Sequence, residues 1–446
     1  MHPPLPLRTA PVHRETLPSF LSRLAAINGV GAADFAVDLG FSIKRFLNLE
    51  GDAVRALAGS GGLDGAAVAD LLSWTGTGVG DVRIEFRGEV FVSRALRNPR
   101  MRGCPVCLRE DAKGQERTPA RAMARRGDWQ LREVGLCVLH GHPLVTLWEV
   151  GTPRHRYDVA ARLDEVAERV LAGGFEAEVV APSPYDLWLD ARLEDGRDET
   201  WMAGQSLAAA TTFCRLLGAE LLRLEEPPDG DLAARQRAAQ AAGFAVARHG
   251  PEAIEAALDR LAGLADGAGD GPNKAFGLLF QNLSQAYREE PAFAPFRKLL
   301  RDRILEIWPV APGADLLGEV LAERRLHSVV TAAQEAGIGT APMEQLLIEA
   351  GAIAADDPRP AARKTFAAAP HARLLAEIPA LIGSTTLCLA MGAYQNSFDA
   401  LVAEGVLAPR APGVQAAWRL RDGLEQQLLH RGGADPRLLC GRNHGV

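Results

Sequence analysis

From Thr16 onward the apolar residues Leu17, Phe20, Leu21, Leu24, Ala25 and Ile27 recur at helical spacing. Thr16 is a suitable N-cap, and Asn28-Gly29 closes the run. The pattern predicts an amphipathic helix. Shorter helices are expected at 32–38, 43–47, 52–58 and 66–74, separated by glycine-bearing turns such as Gly59-Ser60-Gly61-Gly62. The period then changes to two. Val82, Ile84 and Phe86 alternate with Arg83, Glu85 and Arg87, a turn falls at Gly88, and Val90-Phe91-Val92 resumes, which predicts a β-hairpin.

Beyond a break at Ala181-Pro182-Ser183-Pro184 the helical period returns, with helices expected at 204–224, 232–248, 252–265 and 276–287. Turn chemistry at 226–230 and 266–272 separates helices, and Asp356-Asp357-Pro358-Arg359-Pro360 makes a later break. The last third resembles itself: Ala333, Gly337, Met343, Leu346 and Gly351 match Cys388, Gly392, Phe398, Leu401 and Gly405 with one residue of slippage. A small residue four positions before a turn glycine, followed by paired apolar anchors, suits a helix-turn-helix. The expected fold is therefore mainly α: an N-terminal helical part with a small hairpin and a cysteine module, then helices, then tandem helix-turn-helix units. Expected domains are 1–150, with the module at about 100–145, then 151–318 and 319–446.

Composition changes this picture little. With 446 residues, 47% hydrophobic and 24% charged, the chain is a folded protein of several domains. No apolar run is long enough to span a bilayer and the first residues lack a signal-peptide core, so a cytoplasmic location is expected. The net charge of −7 excludes coating of nucleic acid by the whole surface. Charge is uneven, however. Residues 94–132 carry eleven basic side chains against four acidic ones, making Arg94, Arg97, Arg100, Arg102, Arg121, Arg125, Arg126 and Arg132 candidate contacts for nucleic acid or a partner. The second helices of the tandem units, 342–350 and 396–404, carry Glu344, Glu349, Asp399 and Glu404 and no Lys or Arg. Gln345, Gln395 and Asn396 remain candidates for reading base edges or a protein.

Six cysteines in this length do not make a disulfide scaffold, but three of them cluster. Cys104-Pro105-Val106-Cys107 and Cys137-Val138-Leu139-His140 each hold two soft or borderline ligands three residues apart, the spacing that turns both toward one zinc ion. Cys104, Cys107, Cys137 and His140 would fill a tetrahedral sphere, which predicts one structural zinc; His142 is the rival fourth ligand. No phosphate loop, dinucleotide fingerprint, H-E-x-x-H or nucleophile elbow occurs, and a closed zinc offers a hydrolase no open position, so no enzyme is expected.

Together these features resemble the TniQ family of transposon target-selection proteins, which includes TnsD-like members. The resemblance rests on Pro11, Glu15-Thr16-Leu17, Ser19-Phe20-Leu21, Arg23-Leu24-Ala25 and Asn28-Gly29, then Cys104-Pro105-x-Cys107-Leu108-x-Glu110-Asp111. It continues through Trp129-x-Leu131, Cys137-x-x-His140-Gly141 and Pro143-Leu144. Arg132-Glu133-Val134-Gly135 departs from the family, which often carries a second aromatic there. The resemblance covers about the first 150 residues. It implies an adaptor without catalysis that recognises target DNA directly, or through a CRISPR effector complex and its guide RNA. Such an adaptor recruits an AAA+ transposition regulator and reaches the transposase indirectly, with a homodimer compatible. A zinc-containing helix-turn-helix transcription regulator is the alternative.

Overall fold

The computed structural model describes residues 4–114, 118–224, 230–411, 414, 418–419, 422–423 and 425. The turn at 226–229, Glu116, Arg117 and Cys440 lie outside them. The chain forms two compact units, residues 1–257 and 258–446, and is mainly α with small strand pairs.

In the first unit the Thr16 hydroxyl accepts the Ser19 amide and starts helix Leu17–Ile27, which ends at Asn28. Helices Ala32–Asp38, Ile43–Leu47, Gly51–Gly61 and Gly65–Thr75 follow, close to the expected bounds. They close over a core of Leu17, Phe20, Leu21, Leu24, Phe35, Phe46 and Leu57. The expected hairpin is present as Arg83–Phe86 against Glu89–Val92, with a third strand, Thr77–Val79, that the alternation did not reveal. Strand Arg100–Gly103 pairs antiparallel with Val145–Glu149 and frames the cysteine module. Helix Val159–Leu171, also unexpected, packs against helix Leu17–Ile27, and its Val159, Leu163 and Val170 complete the core around Met101, Cys104, Cys107, Trp129 and Trp148. Ser22 ties it down: its hydroxyl donates to Asp158 at 2.7 Å and accepts the Ala160 amide at 2.9 Å. Helices Pro184–Asp195, Leu207–Leu221 and Leu232–Ala247 finish this unit.

In the second unit the two expected helical pairs are Val329–Ala336 with Thr340–Glu349 and Ser384–Met391 with Gln395–Ala403. Their correspondence extends to the turn. Gly337 (φ 67°) and Gly392 (φ 63°) end the first helices in the left-handed region that glycine enters freely, and the next amides, Ile338 and Ala393, both bond back to Ala333 and Cys388 at 3.1 Å. Ala333 and Cys388 are buried with Met343, Leu346 and Phe398, the anchors read from the sequence. Each pair is also bracketed by a short antiparallel ladder, 326–328 with 365–367 and 381–382 with 418–419. These ladders are too short to leave an alternation signal.

Candidate metal centre

Both knuckles are built by strand ends. Cys104 follows strand Arg100–Gly103 and caps helix Pro105–Ala112. Pro105, set at the helix start where its missing N–H costs nothing, begins the turn that brings Cys107 back beside Cys104. The second knuckle is the turn between Leu136–Cys137 and His142–Pro143, where the Gly141 amide bonds the Cys137 carbonyl at 2.8 Å. A Cβ at Gly141 would lie 2.7 Å from the Val180 carbonyl oxygen, so the turn tolerates no side chain.

The donor atoms of Cys104, Cys107, Cys137 and His140 all lie within 4.8 Å of one another and could hold a metal ion. Cys107 Sγ is 3.7 Å from Cys137 Sγ, and His140 Nδ1 lies 3.6, 3.3 and 3.5 Å from the sulfurs of Cys104, Cys107 and Cys137. Tetrahedral zinc with bonds of about 2.3 Å to sulfur and about 2.0–2.1 Å to nitrogen requires edges of roughly 3.8 and 3.5 Å. The donor set therefore fits zinc in chemistry and in size. The thiolate form is favoured at Cys104, whose sulfur is hydrogen-bonded by Cys107 and then by Cys137 strongly enough to outweigh burial.

A second layer orients the imidazole. His140 Nε2 lies 3.0 Å from Glu110 Oε2, which leaves Nδ1 facing the sulfurs, the carboxylate–histidine arrangement usual behind a metal. The rival His142 is fully buried and faces other partners: its Nδ1 is 2.7 Å from the Pro143 carbonyl and its Nε2 accepts the Ala177 amide at 3.1 Å. Both of its ring nitrogens are occupied by backbone.

The basic stretch separates into two groups. Arg94, Arg97, Arg100 and Arg132 are exposed, Arg121 is partly so, and Arg132 joins the Arg94–Arg97 turn through its amide on the Ala95 carbonyl at 3.0 Å. In the other three the guanidinium is engaged within the protein or buried. Arg102 spends its guanidinium on the carbonyls of Val134, Trp129 and Leu131 at 3.0, 3.2 and 2.7 Å. Arg126 forms a bidentate pair with Asp111, one arm at 2.6 Å, and lies over the Trp129 ring. Arg125 is buried. In the second unit Gln345 is half-buried, Gln395 is exposed and donates to Asp399 at 2.9 Å, and Asn396 is exposed.

The chain is thus mainly helical and carries in its N-terminal third a four-donor Cys/His cluster whose three cysteines are buried and whose His140 is partly so. Residues 6–144 match the model of the TniQ family, in line with the sequence motifs; that family is associated with transposon target selection. No curated protein matches the chain.

Proposed function

We propose that the chain is a non-catalytic target-selection adaptor of a bacterial DNA transposon and that Cys104, Cys107, Cys137 and His140 hold one structural zinc. The observation that carries the reading is the TniQ match over residues 6–144, which encloses all four donors. Bound zinc supplies a cross-link between the two knuckles and, with four protein donors, no position for substrate. Glu110 orients His140, and the cluster fixes the strand ends that carry Arg100 and Arg102.

The adaptor engages DNA directly or through a CRISPR effector complex and recruits an AAA+ regulator. The helices Thr340–Glu349 and Gln395–Ala403 favour a protein surface over phosphates, because they lack Lys and Arg while Glu349 and Asp399 are exposed. Arg94 and Arg132, exposed and without an ion pair among the described residues, supply cations in the first unit. A transposition assay with a transposase and an AAA+ ATPase, run with and without this chain, tests the proposal. Targeted insertion should be lost without it and should weaken when Arg94→Glu and Arg132→Glu are combined, with a flatter salt dependence of complex formation. Targeted insertion unchanged by deletion, with altered transcription of a neighbouring promoter instead, would favour the regulator.

A further inference from the structure

The first unit contains a cavity of about 430 Å³ between the N-terminal helices, the hairpin and the segment after the cysteine module. Its charge is one-sided. Lys44, Arg97, Arg125, Arg154 and Arg156 line it, and no Asp or Glu does. Lys44, Arg97 and Arg154 are exposed at the rim, whereas Arg125 is only 4% exposed.

Arg125 is held there firmly. Its carbonyl accepts the Thr16 amide at 3.2 Å and its amide donates to Ser19 Oγ at 3.0 Å, while the flanking Arg126 bridges to Glu15. Its guanidinium is nonetheless unpartnered: no carboxylate pairs with it among the described residues, and its buried Nε reaches no acceptor. Elsewhere in this unit the arginines withdrawn from solvent are matched, Arg23 with Glu15, Arg126 with Asp111 and Arg192 with Glu89 and Asp198, while Arg102 is satisfied by three backbone carbonyls. An isolated buried cation is expensive, and such a group persists where something outside the chain compensates it. Burial also pushes the Arg125 guanidinium below its ordinary value, the expected effect of desolvation without an adequate counter-charge.

We infer that this cavity is a binding site for a phosphate monoester, taken either from a free nucleotide or from the terminal phosphate of a nucleic-acid strand. Five cations without a carboxylate suit a dianion better than a single carboxylate. The depth of Arg125 favours an end: a continuous duplex backbone cannot bring a phosphate to a side chain buried so deeply, whereas a free or terminal phosphate can. Ile43, Leu47, Leu96 and Ile84 give the remaining wall an apolar surface, and the volume lies in the range of small-ligand pockets, about 300–1,000 Å³. The inference stands on the cavity alone and does not depend on the transposition role.

The test uses the full-length chain with four probes: adenosine 5′-monophosphate, adenosine, and one short single-stranded oligonucleotide carrying either a 5′-phosphate or a 5′-hydroxyl. Calorimetric titration should give at least tenfold tighter binding for each phosphorylated probe than for its dephosphorylated counterpart. Arg125→Gln should remove that preference without lowering the melting temperature of the unliganded protein, because it deletes an uncompensated charge. If Arg125→Gln does not fold, Arg97→Gln combined with Lys44→Gln at the exposed rim should weaken phosphate binding instead. Equal affinity for the nucleotide and the phosphorylated strand assigns the site to free nucleotide, and tighter binding of the strand assigns it to a strand end. Absence of any phosphate preference, or its persistence in Arg125→Gln, would overturn the inference.

Discussion

Replacing Glu110 by Ala tests which histidine serves the cluster and whether the cluster holds a metal at all. Glu110 Oε2 lies 3.0 Å from His140 Nε2 and touches no thiol donor directly, so its removal leaves the four donors in place but frees the imidazole to turn. Loss of such an outer carboxylate costs about 10–100-fold in metal affinity. The Glu110 side chain is 57% exposed, so water takes over part of its role and the loss should be near the lower end, about tenfold. The assay is competition for zinc against a chelating dye, with Glu176→Ala as the control. Glu176 is the carboxylate nearest His142, 3.7 Å from its Nε2, and its removal should leave zinc affinity unchanged. Equal affinities in the wild type and Glu110→Ala would refute the orientation argument, and a loss in Glu176→Ala alone would identify His142 as the ligand.

Three further outcomes are expected. Cys107→Ser should lose the metal and loosen the core shared with Leu108, Trp129 and Trp148, seen as a lower first melting transition with the second unit's helices retained by circular dichroism. Gly218→Ala should destabilise by about 3 kcal/mol or more, lowering the melting temperature by roughly 6–12 °C. A Cβ there would fall 1.8 Å from the Ala239 carbonyl oxygen, where helices Leu207–Leu221 and Leu232–Ala247 touch backbone to backbone. Asp128→Asn should change the pH dependence. Burial, partly offset by Arg14, raises the Asp128 carboxyl from 3.8 to about 6. The folded state thus keeps a proton that the unfolded chain releases, and the wild type loses stability as pH rises between about 4 and 6. Denaturant unfolding at several pH values should show the variant gaining on the wild type through that window, by about 2–3 kcal/mol at most.

Local signals were legible because they act locally. Thr16 and Asn28 fixed the ends of the first helix through caps, Gly337 and Gly392 marked both helical turns, and the two knuckles announced themselves by spacing alone. What sequence could not convey was burial decided by distant partners. Arg94, Arg102 and Arg125 look alike in the chain, yet one faces water, one binds three carbonyls and one lines a cavity. The choice of His140 over His142 likewise depends on the Ala177 amide, some 35 residues away in the chain. The cavity itself joins Lys44, Arg97, Arg125 and Arg154, which share no motif, so no spacing rule could have found it.

The two knuckles should close around one zinc ion. Elemental analysis of the full-length protein, combined with X-ray absorption at the zinc edge, tests this most directly. The account predicts one zinc per chain, surrounded by three sulfurs at about 2.3 Å and one nitrogen at about 2.0 Å. A metal-free protein that remains folded, or a zinc shell with fewer than three sulfurs or with bound water, would contradict it.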